Sequence, residues 1–432
     1  MKAFSWMLLL TLLACAPAPA ASVPPFDFAA AERNADAELK RPAAPIAPIA
    51  PASKDPKSVA QAGSSAPVCA LCKGSGQITC TLHPKQFVCV YSGTADADVC
   101  KLCKNLGVIP CTACKASTQP EVKEKYQEAE AALAQSLTAA QDLIKEIDVD
   151  GNADRLNTKI VGYSAAHISV ASNLTRVLTL ACMQHSEALL PKLEKAFNGP
   201  VFSFTSPQNT RVYLLDKPPE YLRFLEVIWK SRFPSADTVL FAKTSGTRAF
   251  QVPSTGVICF EKVQRNQELL VHDFVHMYSH ILLNRVASER QYTPWIEEGF
   301  AAYAESLELN APQIYCIQYD FNNLDIQKNR AKTLLAMARA NKPVPMEKLS
   351  QITFMDMKSD EYFEAWSIVT MLIERDPARF IAFLQALPES VSGVAGGEIK
   401  AADQEAALKE AYGYDFPKLL SVWRQYVLAT VR

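Results

Sequence analysis

The feature that most constrains this chain is a pair of histidines in an apolar stretch, Leu269-Leu-Val-His272-Asp273-Phe-Val-His276. Residues four apart lie on the same face of a helix, about one turn from each other. Two imidazoles placed in this way suit the binding of a single metal ion. The stretch therefore predicts a helix over residues 267–284 that contributes two ligands, and a later helix is expected to contribute the third.

A second stretch, Pro294-Trp-Ile-Glu297-Glu298-Gly299-Phe-Ala-Ala-Tyr303, suits that role. Thr293 is a candidate N-cap, and proline is favoured at the first position of a helix. Glu297 and Glu298 compete as the third ligand, and the glycine that follows favours Glu298. His280 continues the histidine stripe, but it is not at the spacing of the metzincin class. It is interpreted as a packed or pocket-lining residue.

The order HxxxH, loop, W-x-x-E-G-x-A-x-Y resembles the gluzincin branch of zinc metallopeptidases, which is of the peptidase MA-like kind. The resemblance extends weakly over residues 167–427. It implies a zincin-like domain in which His272, His276 and Glu298 bind a catalytic zinc ion. The ion would activate water for the hydrolysis of a peptide or protein substrate.

Two positions depart from the family pattern. The resemblance makes Asp273 the general base, where the family usually has glutamate, and the side chain is shorter by one C–C bond, about 1.5 Å. Base catalysis contributes roughly 10²–10⁴ in rate. Ala302 stands where many relatives have an acidic residue that orients a histidine, and Glu305 is a weak substitute. The two hypotheses are an active zinc metallopeptidase and a weakened or inactive peptidase-like binding module.

A tyrosine beyond the metal-binding helices completes the family pattern. Tyr362 resembles the residue that in many members stabilises the oxyanion. A buried core aromatic is the equally weighted alternative.

The cysteines form a repeat. Eight of the 12 cysteines lie in residues 68–115. The repeated sets are Cys69-x2-Cys72-x7-Cys80-x2-His83 and Cys100-x2-Cys103-x7-Cys111-x2-Cys114, which start 31 residues apart. Four such ligands suit the tetrahedral geometry of structural zinc. His83 favours two structural zinc ions over a disulfide framework, because histidine binds zinc and forms no disulfide.

The segment Cys69-Ala-Leu-Cys72-Lys-Gly74-Ser-Gly76 resembles the CxxCxGxG unit of DnaJ-type cysteine-rich domains. It implies a double zinc-knuckle module over residues 68–116, with a protein partner as its candidate ligand. No J-domain signature accompanies it. Whether the ligands pair within or between the two halves stays open. Four further cysteines lie outside both sites, and most of them are interpreted as buried thiols; the four are Cys89, Cys182, Cys259 and Cys316.

The N-terminus has the pattern of a signal peptide. An apolar run over residues 4–14 follows Lys2 and is too short to span a bilayer. The segment Leu12-Leu-Ala-Cys15 resembles the lipobox of bacterial lipoproteins, which implies a signal peptide over residues 1–14 and a lipidated Cys15. Ala16 favours the outer over the inner membrane, so the expected location is the periplasmic face of the outer membrane. Ordinary cleavage near Ala20 is the alternative.

The rest of the chain divides by composition. Residues 15–67 are rich in alanine and proline and predict a disordered linker. The chain continues with a helical segment over 117–199, a small α/β unit over 200–262 with strands at 211–215, 238–241 and 256–260, and a helical peptidase-like part over 263–432. The expected helices cover residues 128–147, 174–197, 219–233, 267–284, 294–307, 325–341, 360–375, 377–387, 403–412 and 416–429. The predicted class is α+β, mostly helical, with the zincin-like domain behind the zinc-knuckle module.

The charge balance excludes one class of partner. The chain has 44 Lys and Arg against 45 Asp and Glu, a formal net charge of −1. Nucleic-acid binding requires a basic surplus that displaces counterions from phosphates. No nucleic acid is expected as a partner.

Overall fold

The computed structural model describes residues 26–39, 77–79, 108–110, 144–147, 158–200, 210–226, 249–252, 257–261, 267–286, 292–310, 312, 330–388 and 399–431, apart from single positions within them. This part of the chain is mostly helical and contains a six-stranded and a two-stranded sheet. The α+β, mostly helical class is confirmed. Outside the described residues lie Cys15, all ligands predicted for the zinc knuckles, the strand predicted at 238–241 and most of the helix predicted over 128–147.

The larger sheet is mixed. Its strands are β3 Lys145–Ile147, β4 Val161–Ser164, β5 Ser169–Ser172, β6 Arg211–Leu215, β7 Ala249–Val252 and β8 Val257–Glu261, in the order β3-β4-β5-β6-β8-β7. The β5–β6 and β6–β8 pairs are parallel, and the other pairs are antiparallel. All of β5 and most of β6 are buried, as expected for central strands that join parallel neighbours.

The sheet corrects two predictions made from the sequence. The helix predicted over 128–147 is wrong at its end, because Lys145–Ile147 is a strand paired with β4. The segment predicted as helical over 117–199 contains β4 and β5, and β5 pairs with β6 across the predicted boundary at residue 200. The strands at 211–215 and 256–260 are confirmed, the second shifted by one residue.

The helices are numbered in chain order. They are α1 Phe28–Leu39, α2 Arg176–Ala196, α3 Pro218–Phe224, α4 Gln267–Val286, α5 Pro294–Leu309, α6 Arg330–Ala340, α7 Met346–Leu349, α8 Ser359–Arg375, α9 Pro377–Ala386, α10 Ala401–Tyr412 and α11 Phe416–Thr430. Several ends follow ordinary capping chemistry. Asp376 and Asp415 accept backbone N–H groups at the starts of α9 and α11, and Gly413 ends α10 with φ of 73°.

Helix α5 lies in the core and contacts α2, α4 and α8. Every residue from Pro294 to Glu305 is buried. Gly299 permits the close approach of α8, since a Cβ at this position would lie 2.6 Å from Val369 Cγ2 and 2.8 Å from the Ala365 carbonyl oxygen. This contact fixes α5, and with it the adjacent Glu298, against α8.

Helix α1 corrects the prediction of a disordered linker over 15–67. Its small residues Ala31 and Ala35 are buried, and the helix packs against α11. Lys418 forms an ion pair of 2.7 Å with Asp36, and Arg375 one of 2.9 Å with Glu32. Alanine and glutamate are good helix formers, and this short segment gains its order from the distant C-terminal helices.

Strands β1 Gln77–Thr79 and β2 Val108–Pro110 form the small sheet. They pair antiparallel with Ile78 opposite Ile109. These residues are 31 positions apart, which is the offset of the cysteine repeat. The pairing therefore brings equivalent strands of the two halves of the repeat side by side.

Among the described helices, none combines the length and the apolar character that crossing a bilayer requires.

The packing of α5 on α8 predicts the effect of Gly299→Ala. Alanine would normally stabilise a helix interior, but here its methyl group would meet the backbone of α8. We expect a loss of about 1–3 kcal/mol in the free energy of unfolding, measured by urea denaturation. The double variant Gly299→Ala, Val369→Ala should lose less stability than the sum of the two single losses, because truncating Val369 removes the contact at 2.6 Å. A single variant as stable as the wild type would contradict the close approach.

Candidate metal centre

Two imidazoles and one carboxylate come together between α4 and α5. His276 and His280 lie one turn apart on α4, Glu298 lies in the second turn of α5, and all three side chains are fully buried. Their candidate ligand atoms lie within 4.8 Å of one another. The Nε2 atom of His276 is 3.3 Å from Glu298 Oε2, and the Nε2 atom of His280 is 3.7 Å from Glu298 Oε1.

The first of these separations matches the edge of a zinc coordination tetrahedron, and the second, which involves the other carboxylate oxygen, is slightly longer. Zinc binds histidine nitrogen and carboxylate oxygen at about 2.0–2.2 Å, which separates adjacent tetrahedral ligands by about 3.3–3.6 Å. By contrast, the nearby hydrogen-bonded pair of His272 and Glu305 is only 2.6 Å apart. Small adjustments of the three side chains would therefore admit an ion.

Further carboxylates lie on the outer sides of the imidazole rings. The Nδ1 atom of His276 lies 3.2 Å from Glu305 Oε2, within hydrogen-bond distance. The Nδ1 atom of His280 lies 3.6 Å from Glu297 Oε2, which is too long for a hydrogen bond. A carboxylate at Nδ1 orients the ring and directs the Nε2 lone pair towards a metal. Both histidines thus present Nε2 to Glu298.

Burial sets the protonation of the group. It lowers the pKa of His280 to about 3, with a further contribution from the charge of His276. His280 is therefore neutral near pH 7, the form that binds metals. Burial raises the pKa of Glu297 to about 8. For Glu305, burial acts upwards but is outweighed by the hydrogen bonds from His272 and His276, and its pKa lies below the ordinary value.

The structure groups His280, and not the predicted His272, with His276 and Glu298. His272 lies outside this group, and its Nδ1 atom pairs with Glu305 Oε1 at 2.6 Å. The group in the structure therefore differs from the predicted ligand set by one histidine, and His280, interpreted from the sequence as a packed or pocket-lining residue, becomes a candidate ligand. Glu298 keeps its predicted place. Glu305, a weak candidate from the sequence, provides the orienting carboxylate that Ala302 cannot.

The revised ligand set changes which residue stands at the position of the general base. The residue after the first ligand histidine is now Met277, which is 4% exposed and has no proton acceptor of useful basicity. The predicted base, Asp273, lies one helical turn earlier and is half-buried. Desolvation raises the pKa of its carboxyl to about 7, reinforced by Glu305 and opposed by His276.

Tyr362, the predicted oxyanion-stabilising residue, lies in the first turn of α8 and is fully buried. Its ring packs against Phe363, and its hydroxyl is within electrostatic range of Arg330. The candidate ligand atoms come from α4 and α5, whereas Tyr362 lies on α8. Its role in stabilising an oxyanion stays a prediction. Cys182 of α2 is a buried free thiol, as expected. The proximity of Asp273 adds to burial in raising the pKa of this thiol.

No family model matches the chain, and a search of curated proteins finds no match.

The revised ligand set predicts the effect of His280→Ala. We expect the chain to lose one zinc ion of those it carries, because two remaining ligands hold zinc weakly. The metal content of the purified full-length protein measures this loss. His185→Ala is the control, since it removes another histidine that pairs with an α5 carboxylate, Glu308, at 2.7 Å. Equal zinc in His280→Ala and the wild type would contradict the set.

Proposed function

We propose that the chain is a metallopeptidase-like protein of the cell envelope that binds zinc through His276, His280 and Glu298 but has lost the usual general base. The observation that carries this proposal is Met277, which follows the first histidine of the buried ligand group. The proposal retains the zincin-like fold, supported by a mixed sheet that precedes the two helices with the ligands.

The donor set supports zinc as the metal. Two imidazole nitrogens and one carboxylate, with a fourth position open, are the protein ligands typical of hydrolytic zinc sites. When bound, zinc supplies Lewis-acid polarisation and activates water. The chain contributes ring orientation through Glu305 and an apolar side chain at Met277.

Peptide hydrolysis is the second candidate function, and Asp273 is the observation that favours it. It lies four residues before Met277 and therefore on the same side of α4. It is half-buried, and its raised pKa of about 7 is near the value suited to a general base. In this case Asp273 would take up the proton that Met277 cannot.

The variant Met277→Glu separates the two candidates. If His276 and His280 are the ligands, the new carboxylate occupies the general-base position of the HExxH pattern. We expect cleavage of an unfolded protein substrate to rise by roughly 10²-fold, the lower end for a positioned base. Met277→Gln is the control, because it has a similar shape and cannot take up a proton. The rate of substrate cleavage at saturating zinc is the measurement.

Two results would count against the main proposal. The second candidate, peptide hydrolysis, is supported if the wild-type protein cleaves the substrate and the Asp273→Asn variant binds zinc but cleaves nothing. A rise in activity in Asp273→Glu, with none in Met277→Glu, supports the sequence-based set of His272 and His276.

For the zinc knuckles we propose two structural zinc ions, each bound by ligands from both halves of the repeat. The support is the antiparallel register of β1 and β2. Gln77, five residues after Cys72, is paired with Pro110, which directly precedes Cys111. Thr79, which directly precedes Cys80, is paired with Val108, five residues after Cys103. A zinc site built from both halves would thus combine ligands that adjoin the same end of the small sheet. The module would offer a surface to a protein partner.

We further propose that a lipid on Cys15 anchors the protein to the envelope. Residues 16–27 separate Cys15 from α1. At about 3.3–3.6 Å per residue, this segment reaches at most about 40 Å. Because α1 packs against α11, the anchor would hold the helical part near the membrane. The zinc knuckles follow α1 in the sequence, so they would not lie in the segment between the anchor and the helical part.

The variant Cys15→Ala should release the protein from membranes, because it removes the lipid and no part of the packed helices. Membrane flotation measures the release, and zinc content checks that the fold is retained. A wild-type protein that is found soluble, with a free N-terminus near Ala21, would contradict the anchor.

A further inference from the structure

His272 is a buried histidine that the proposed metal site does not use as a ligand. Its side chain is 4% exposed, and its Nδ1 atom lies 2.6 Å from Glu305 Oε1. It stands one turn before His276 on α4, on the same helix face. The histidine stripe thus continues beyond the candidate ligands by one member, and the Nδ1 atom of that member is paired with a carboxylate.

Glu305 joins this histidine to the ligands. One oxygen, Oε1, pairs with His272, and the other, Oε2, faces His276 Nδ1 at 3.2 Å. Glu305 is fully buried, so neither oxygen is exposed to bulk solvent. A carboxylate held at one oxygen cannot rotate freely about its terminal bond, so the position of Oε2 depends on the contact at Oε1.

Another cation lies near Glu305 but is held elsewhere. The guanidinium of Arg330 is stacked over the Trp366 ring, 4.5 Å from its centre, and donates to the Pro312 carbonyl. It interacts with Glu305 through charge. The short directional contact at Oε1 comes from His272.

We infer that His272 is a positioning residue of the metal site: by holding Glu305 it fixes the ring of His276, so that Nε2 points at the metal. The inference rests on the proposed metal site. It assigns His272 a role through Glu305, which is distinct both from ligation and from simple filling of the core.

The test compares zinc affinity at this site in four full-length proteins. The site is defined as the zinc that His280→Ala lacks. His272→Leu removes the donor to Glu305, whereas His272→Asn keeps a side-chain N–H the same number of bonds from Cα as Nδ1. His185→Leu is the matched control, because it removes the His185–Glu308 pair of 2.7 Å, which also involves α5. Chelator competition gives the dissociation constants, and cobalt substitution gives the absorption spectrum of the site.

We expect His272→Leu to weaken zinc binding by about tenfold, the lower end of the effect of removing an orienting partner. Its cobalt spectrum should shift, while His272→Asn should lie within about twofold of the wild type in affinity, since the contact that holds the orienting carboxylate is kept. His185→Leu should leave both affinity and spectrum unchanged.

Three results would overturn the inference. Unchanged affinity in His272→Leu would show that Glu305 needs no second contact. Loss of zinc as complete as in His280→Ala would make His272 a ligand. Equal weakening in His272→Leu and His272→Asn, with an equal fall in the melting temperature of the metal-free protein, would reduce His272 to a packing role. If the wild type binds no zinc that His280→Ala lacks, the proposed metal site itself fails, which is a separate result.

Discussion

The structure depends on the burial of acidic side chains in its central helix. Glu298 and Glu305 are fully buried on α5, and both face imidazoles of α4. A buried carboxylate without a partner costs several kcal/mol, so α4 and α5 must keep a fixed register. Gly299 contributes to that register through another neighbour of α5, because the absence of a side chain at this position lets α8 pack closely against α5. The same contacts that stabilise the core therefore position the candidate ligands.

This register also decides which histidines can share a metal. His272, His276 and His280 follow one another at intervals of four, so the sequence contains two overlapping pairs of equal helical geometry. Periodicity cannot choose between them, and the Asp after His272 favours the pair that resembles the family pattern. The choice comes from the position of α5, which places Glu298 beside the second pair and Glu305 beside the first. The sequence contained one signal for this arrangement: Glu298 and Glu305 are seven residues apart and so lie on one face of α5. When buried, each of them requires a partner on α4.

The local pattern predicted the long helices well, because amphipathic periodicity and capping residues extend over many positions. It failed for β4 and β5, which are four residues long and become strands through pairing with β6. It also failed for α1, whose alanines resemble the adjoining Ala- and Pro-rich stretch. The order of α1 depends on Arg375 and Lys418, more than three hundred positions away in the chain. Such contacts are not visible in a sequence window.

The same burial gives a physical reason why the proposed metal site could be kept without hydrolysis. Burial lowers the pKa of His280, which favours its neutral form, and the hydrogen bonds from His272 and His276 outweigh burial and lower the pKa of Glu305, which favours its ionised form. A divalent cation held by His276, His280 and Glu298 would join α4 to α5. Binding free energy of such an ion adds to folding free energy, since the unfolded chain has no preformed site. If Met277 stands in place of a base, as proposed, proton transfer would be lost while this contribution to folding remained, so a bound metal would still stabilise the packing of α4 against α5.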